Sequence, residues 1–383
     1  MTPLPRSAST VIIGGGVQGL SAAFNLAEMG QTGIVVIDAG YWQGGASGRN
    51  GTLIRPGFAS TAWTELFMLT VAEWKTWSKR LGENVMFTQR GYSVVSEKAA
   101  SAAMLEEATA MQRDLGIRSR MLKSAEISDL LPAINRKRVL AVQHQEEGGV
   151  APHHAALKGL RAYCEHRGVA LHYRTKITGI EVTDGRASAV WIGDHRIDAG
   201  NILSCAGPDN PDMARLAGVE IDGFGMKIEA MALEPTRPLI KPAIALIDSL
   251  AYFHQTSRGE VVGGTEVPER PRMSLRVDVP VMAEMARIYL EMFPQLGPVR
   301  ILRHWAGQLH ASTDYAPLLG EHPARPGLWF SAGWSYGFAG APAAGRLLAG
   351  AIGKGHIDSR MKPFALDRFQ TTGPIIEKGI VLA

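Results

Sequence analysis

Val11-Ile12-Ile13-Gly14-Gly15-Gly16-Val17-Gln18-Gly19-Leu20 decides the fold of this chain. The apolar, β-branched opening reads as a buried strand, and Gly14, Gly16 and Gly19 follow it with G-x-G-x-x-G spacing. A helical pattern over Leu20–Met29 comes next, then a second β-like run, Ile34–Ile37, that ends on Asp38. Each part has a mechanical use. Gly14 permits the tight turn from strand to helix, Gly16 lets the backbone approach a pyrophosphate, and Gly19 lets helix and strand pack closely. The helix start offers backbone N–H groups and a positive dipole end to the phosphates. An acid at the end of the second strand is placed to accept the hydroxyls of an adenosine ribose. Strand, glycines, helix, strand and acid in that order imply an adenine dinucleotide.

Two further segments point to FAD rather than NAD. Gly44-Gly45-Ala46-Ser47-Gly48-Arg49-Asn50-Gly51 is small and polar, suited to wrapping a second phosphate or a flavin. Near the other end, Leu328-Trp329-Phe330-Ser331-Ala332-Gly333 reads as a strand running into a glycine turn. A small-residue helix then opens at Trp334-Ser335-Tyr336-Gly337-Phe338-Ala339. A second helix start this far along the chain suits a long cofactor lying across the domain, its dipole facing the charge that builds on the N1–C2=O edge of a reduced flavin.

With these residues the chain resembles the D-amino-acid-oxidase-type flavoproteins, and most of all the FAD-bearing β subunits of heterotetrameric sarcosine oxidases. The likeness runs over nearly the whole length. Besides the first fingerprint it is carried by Arg49–Arg55, Phe87–Gly91, Gly149-Val150-Ala151, Ser204-Cys205-Ala206-Gly207, Ala332–Phe338 and Pro363–Phe369. It implies an α/β fold: an FAD-binding, Rossmann-like domain with a discontinuous substrate domain of the α+β kind, built on an antiparallel sheet. It also implies cofactor contacts from Gly14, Gly16, Gly19, Asp38, Ser47, Arg49, Asn50, Ile177, Gly207, Gly333, Gly337, Phe338 and Ala339. Gly307 stands where monomeric sarcosine oxidase has the cysteine that bonds to FAD, so the FAD is expected to be non-covalent.

Composition sets the outer bounds. The chain has 383 residues, 46% hydrophobic and 20% charged, with a formal net charge of +4, a balance typical of a globular protein long enough for two domains. The basic residues are scattered, and Arg136-Lys137-Arg138 reads as a solvated loop, so nucleic acid is not expected as a partner. Two cysteines without C-x-x-C exclude a disulfide scaffold, an iron–sulfur cluster and a cysteine zinc site, and the histidines lack metal-ligand spacing. No apolar run is long enough to span a bilayer, and the N-terminal apolar segment is the dinucleotide strand, so a cytoplasmic location is expected.

Because the cofactor signals sit at both ends, the chain should leave the FAD domain and return. The expected division is 1–85, 140–215 and 320–383 for the FAD domain, with 86–139 and 216–319 for the substrate domain. Helices are expected over Thr61–Arg80, Ala99–Leu131, Gly149–Gly168 and Val279–Met292. Strand-like alternation covers Val85–Val95, and a turn at Asp184-Gly185 should close a hairpin.

Arg55 ends the apolar run Leu53-Ile54 beside the glycine loop. A buried guanidinium needs an anionic partner, and spacing leaves two open: a structural carboxylate, or the carboxylate of a substrate held in bidentate fashion. The resemblance implies the second. Arg49 is read as a phosphate or flavin contact, or as a surface arginine. Several relatives carry lysine where Ala339 stands, so either Arg55 acts with another group, such as Tyr252, His254 or Tyr336, or the substrate differs from sarcosine. His304, Trp305 and His310 fall in a segment that in the family reaches the flavin, with His304 a candidate acid or base, and packing and hydrogen bonding in a polar core the favoured reading for each. His153 and His154 match, within a residue or two, a segment where the β subunits hold FMN at a subunit interface, though Pro152 replaces a lysine there. A solvent-exposed or capping histidine pair is the other reading.

The expected activity is FAD-dependent oxidation of the C–N bond of a sarcosine-, proline/hydroxyproline- or opine-like secondary amine, by hydride transfer to the flavin. The chain would be the FAD-bearing subunit of a hetero-oligomer with an α-type partner. The alternatives are a stand-alone D-amino-acid or glycine oxidase-type enzyme, a non-catalytic flavin electron-transfer subunit, and an NAD(P)H-linked reductase, which would need a second dinucleotide fingerprint in mid-chain.

Overall fold

Runs of β-branched residues buried on both faces build the first of two large sheets, as parallel packing between helices requires. The computed structural model describes residues 3–265 and 274–378. In spatial order the first sheet runs Leu318–His322, Arg325–Ala332, His195–Ser204, Ser7–Ile13, Ile34–Ile37, Ala170–His172. All of these neighbours are parallel except the first pair. The hairpin Gly179–Thr183/Arg186–Ile192 extends from His195–Ser204, its tip formed by Asp184 and Gly185 at positive φ. Val11, Ile12, Ile34–Ile37, Ile202 and Leu203 are buried within this sheet.

The longer helices are α1 (Val17–Glu28), α2 (Thr61–Leu81), α3 (Ala99–Asp114), α4 (His153–His166), α5 (Val279–Met292) and α6 (Gly337–Lys354). The core that holds α1, α2 and α6 together contains Phe24, Trp63, Trp74, Trp77 and Leu348. Ile13, Ile37, Ser204 and Ala332 end their parallel strands on one side of the sheet, so Gly14, Asp38, Cys205 and Gly333 open along a single rim. That rim is where ligands bind in open α/β sheets.

The second sheet runs Ile301–Ala311, Phe224–Leu233, Val261–Thr265, Ala251–Gln255, Ala243–Leu246, Tyr92–Ser96, Ala141–Gln145, Ser119–Met121. It is antiparallel apart from one parallel pair, Ala243–Leu246 beside Tyr92–Ser96. A core of Met231, Phe253, Met285, Tyr289 and Phe293 joins it to α5. Leu53–Ile54 pairs with Gly149–Val150 in a short ribbon.

Several expectations need correction. The helix read over Ala99–Leu131 is two helices, α3 and Ser124–Leu130, with the strand Ser119–Met121 between them. Gly116, at φ +92°, turns the chain there. The helix read from Gly149 begins at His153, after a strand and Pro152, and of Val85–Val95 only Tyr92 onward is strand. Ala141–Gln145, expected beyond a boundary at 140 on the FAD side, pairs with Tyr92–Ser96 and Ser119–Met121 in the second sheet.

Candidate active site

A cavity of about 1130 Å³ runs from the rim of the first sheet to the face of the second. It exceeds the roughly 300–1,000 Å³ usual for small-molecule sites. The fingerprint turn forms one wall. Gly14 has φ +107°, and a Cβ there would lie 2.3 Å from the Cys205 carbonyl oxygen, so no other residue fits. A Cβ on Gly19 would sit 1.9 Å from the carbonyl oxygen of Gly14, and one on Gly16 would lie 2.9 Å from Ser47 Oγ. Ser47 Oγ accepts the Val17 N–H of the α1 start at 3.0 Å. Asp38 accepts the N–H groups of Gly15 and Gly40, both at 2.7 Å. Its carboxylate therefore fixes the glycine turn as well as lining the cavity.

The glycine-rich loop is tied internally and to the second sheet. Asn50 donates to Ser47 O at 2.5 Å and accepts from Thr52 N at 2.8 Å. Arg49 folds back, donating to Gly45 O at 3.2 Å and Tyr41 OH at 3.3 Å, while Trp305 Nε1 donates to Arg49 O at 2.8 Å. Gly307 lies two residues beyond Trp305 on the same strand face, where a built Cβ would stand 3.5 Å from Arg49 Cβ, and offers no thiol. Cys205 is the thiol among the described lining residues, and burial pushes its pKa up, so it stays protonated. Ile177, Gly207, Gly333, Gly337, Phe338 and Ala339 line the cavity as well.

At the far end the second sheet closes an apolar chamber with Val94, Ile228, Ala230, Ala245, Ile247 and Leu250. Tyr92, Tyr252 and Tyr336 line it as well. Burial raises the pKa of Tyr92 and of Tyr252, with the Arg55 charge pulling Tyr92 the other way, so both remain hydrogen-bond donors. Gly264 makes room for Tyr252: a Cβ there would stand 2.8 Å from the phenol oxygen. That glycine is the signal by which sequence reading could have found the chamber. The described cations lining the cavity are Arg49, Lys176 and Arg215, of which Arg215 pairs with Asp212.

Three candidates, Arg55, His254 and His304, sit elsewhere than expected. Arg55 is 1% exposed and is not a lining residue. Its guanidinium lies over the rings of Phe58, Tyr336 and Tyr92, at 3.9, 5.0 and 5.3 Å, and Nη2 donates to Tyr336 OH at 3.3 Å. It stands one layer behind the phenols, not at the chamber wall. His254 also lies off the cavity, its Nε2 3.1 Å from Thr52 Oγ1, and burial lowers its pKa to about 4. His304 pairs across the ladder with Met231, on the face turned away from Ile228 and Ala230. There its Nε2 meets Glu229 at 2.8 Å, in a cluster with Lys227 and Asp278, so it does not face the cavity as an acid or base. His153 and His154, expected at a subunit interface or as an exposed or capping pair and not in the cavity, open α4, with His154 beside Trp42 and its Nδ1 3.0 Å from Gln43 Oε1.

His310 does line it. Its Nδ1 accepts the Gly333 N–H at 3.1 Å, and burial lowers its pKa to about 4. A neutral imidazole accepting at Nδ1 holds the turn that opens α6. Sequence reading passed over this residue as core packing.

Comparison with known proteins adds the family. The model of the FAD dependent oxidoreductase family matches residues 9–351. The chain belongs to the FAD-dependent oxidoreductases. Among the members it is similar to are sarcosine oxidase subunit beta of Rhodobacter capsulatus, 26% identical over 99% of this chain and 92% of that protein, and glycine oxidase of Pseudomonas putida, 24% identical over 89% and 93%. Its fold is similar to that of L-proline dehydrogenase from P. horikoshii, with a TM-score of 0.91, 24% identity, and 97% and 100% of the two chains covered. As an FAD-dependent oxidoreductase the chain has a cavity that fits its cofactor. Two glycine-lined helix starts and an acid lie along a single groove, and added Cβ atoms would crowd the first of these turns. No described helix is long and apolar enough to cross a membrane, and no described group of His, Cys, Asp or Glu is arranged to hold a metal.

Proposed function

We propose that this oxidoreductase oxidises the C–N bond of a secondary-amine amino acid of the sarcosine, proline/hydroxyproline or opine type. The observation that carries the reading is the convergence of Tyr92, Tyr252 and Tyr336 on an apolar chamber with Arg55 behind two of them. Protonated phenols donate to a carboxylate. The guanidinium behind them strengthens those donors, because a charge acts over several ångströms in a low-dielectric interior. The apolar walls disfavour an ammonium ion and so hold the substrate amine neutral, with its lone pair available as the adjacent C–H bond is lost. FAD supplies the hydride acceptor when bound. The chain orients the substrate, excludes water and keeps the carboxylate at the phenol end.

We further propose that it works as the FAD-bearing subunit of a hetero-oligomer with an α-type partner, in the cytoplasm, where its two buried free thiols stay reduced. FAD is held non-covalently, and FMN, if it is held at His153–His154, needs the partner's surface. One anaerobic experiment tests the central claim. The holoprotein is mixed with sarcosine, L-proline, hydroxyproline and an opine, and the flavin absorbance is followed. Bleaching by any of them supports the reading, with the amide of the same substrate expected to be far weaker. Bleaching by none of them, alone or with the partner, leaves the electron-transfer subunit. Equal bleaching by amide and acid removes the carboxylate site. Acid precipitation of the same sample should release all FAD to the supernatant.

A further inference from the structure

We infer that Gln18 is a positioning residue that couples the dinucleotide turn to the start of α6 and so sets the electronic environment at the flavin end of the cavity. The inference rests on membership of the FAD-dependent family and is independent of the substrate proposed above. Helix α6 begins with a built-in weakness. Pro342 lies inside it and has no N–H to give Phe338 O, so the first ladder bonds are incomplete. The first N–H groups of α6, at Gly337, Phe338 and Ala339, have no intrahelical partner, and these three residues line the cavity. They are the donors on offer to an electron-rich edge of the cofactor.

Three side chains from outside α6 pin its opening turns by their carbonyls. Gln18 Nε2 donates to Gly337 O at 2.5 Å, Trp74 Nε1 to Ala339 O at 2.9 Å and Ser21 Oγ to Ala341 O at 2.8 Å. Donors on those carbonyls orient the peptide planes and polarise the N–H groups on their opposite ends. Gln18 differs from the other two because it lies within the fingerprint turn and lines the cavity. Its amide orientation is fixed by the network. Trp334 Nε1 donates to Ser331 Oγ at 2.9 Å, which leaves the hydroxyl proton for Gln18 Oε1, also at 2.9 Å. The amide nitrogen must then face Gly337 O. One side chain thereby spans 319 residues of sequence and joins the two glycine-rich turns.

Gln18→Leu and Gln18→Glu test this, with Ser331→Ala as a second variant that loosens Gln18 without replacing it. Three quantities are read: the FAD dissociation constant, the affinity of the bound flavin for sulfite, which reports how well the protein stabilises negative charge on the N1–C2=O edge, and the melting temperature of the apoprotein. The expected result is a roughly ten-fold loss of sulfite affinity in the FAD-loaded Gln18 variants, the scale of one lost oriented donor. The midpoint potential should become more negative, and Ser331→Ala should give a smaller change in the same direction. A purely structural Gln18 would lower the apoprotein melting temperature and the FAD affinity but leave sulfite affinity and potential of the loaded protein at wild-type values. That result in both Gln18 variants, or no change in any of the three quantities, overturns the inference.

Discussion

In the proposed function substrate recognition would turn on Tyr252, which lines the chamber with its phenol oxygen in the space left by Gly264. Tyr252→Phe removes one donor and leaves the ring. A donor to a carboxylate is worth about 2 kcal/mol, so the substrate dissociation constant should rise roughly thirty-fold with flavin content unchanged; titration of flavin absorbance with a substrate analogue measures both. His254 and His310 make a second prediction. Both have pKa values near 4 in the folded protein, lowered by burial, against about 6.5 in the unfolded chain. The unfolded state therefore binds more protons than the native state between those values. Stability is complete above about pH 6.5 and drains away as pH falls towards 4, by up to about 3 kcal/mol for each histidine. Melting curves across that range should show the slope, and His310→Asn should flatten it. The residue scale is also where sequence reading was least complete. The apolar neighbours of Arg55 and the nearby Phe58 announced its burial, but two of the rings that cover it, Tyr92 and Tyr336, come from a distant strand and turn and leave no trace near position 55.

Elements were more legible, for reasons that differ from one to the next. The fingerprint strand and α1 carry their own turn chemistry, and α5 falls on Val279–Met292 because a proline at its start and an apolar stripe define it locally. The hairpin at Asp184-Gly185 announces itself through two residues that accept positive φ. By contrast, Ser119–Met121 is a three-residue edge strand whose conformation comes from pairing with Gln143–Gln145, and a short strand after a helix has no period of its own. The contact of α1 with α6 gives a prediction at this scale. A Cβ on Gly345 would lie 2.2 Å from Ser21 Oγ and 2.6 Å from the Ser21 carbonyl carbon. Replacing glycine in a helix gains a few tenths of a kcal/mol in propensity for valine. Forcing two backbones apart costs about 1–3 kcal/mol, and the clash wins. Gly345→Val should lower the melting temperature and weaken FAD binding together, since Ser21 also pins the α6 turn.

At the scale of the whole molecule the two sheets share one cavity, and the chain crosses between them several times. The sequence showed the first sheet well because its strands are buried on both faces, and it showed the later β-rich region as a class. It did not show that Tyr92–Ser96 runs parallel to Ala243–Leu246, a pairing between segments far apart in the chain. It also did not show that Ala141–Gln145 belongs with them, because half-buried alternation fits either sheet.

The position of Ser7–Ile13 between Ile34–Ile37 and His195–Ser204 also sets an order of events in time. In synthesis the first glycine turn is made before its partners, and its strand waits for residue 204 to gain its second neighbour, as α1 waits for α6. Closing loops of that size is slow relative to local helix formation. Cofactor capture should accordingly be a late step: in refolding from denaturant, recovery of helical circular dichroism should run ahead of the quenching of FAD fluorescence. Simultaneous recovery of both signals would mean that the early turn alone holds the dinucleotide. The growing polypeptide thus carries a nucleotide-shaped turn before it has a far wall to press the nucleotide against.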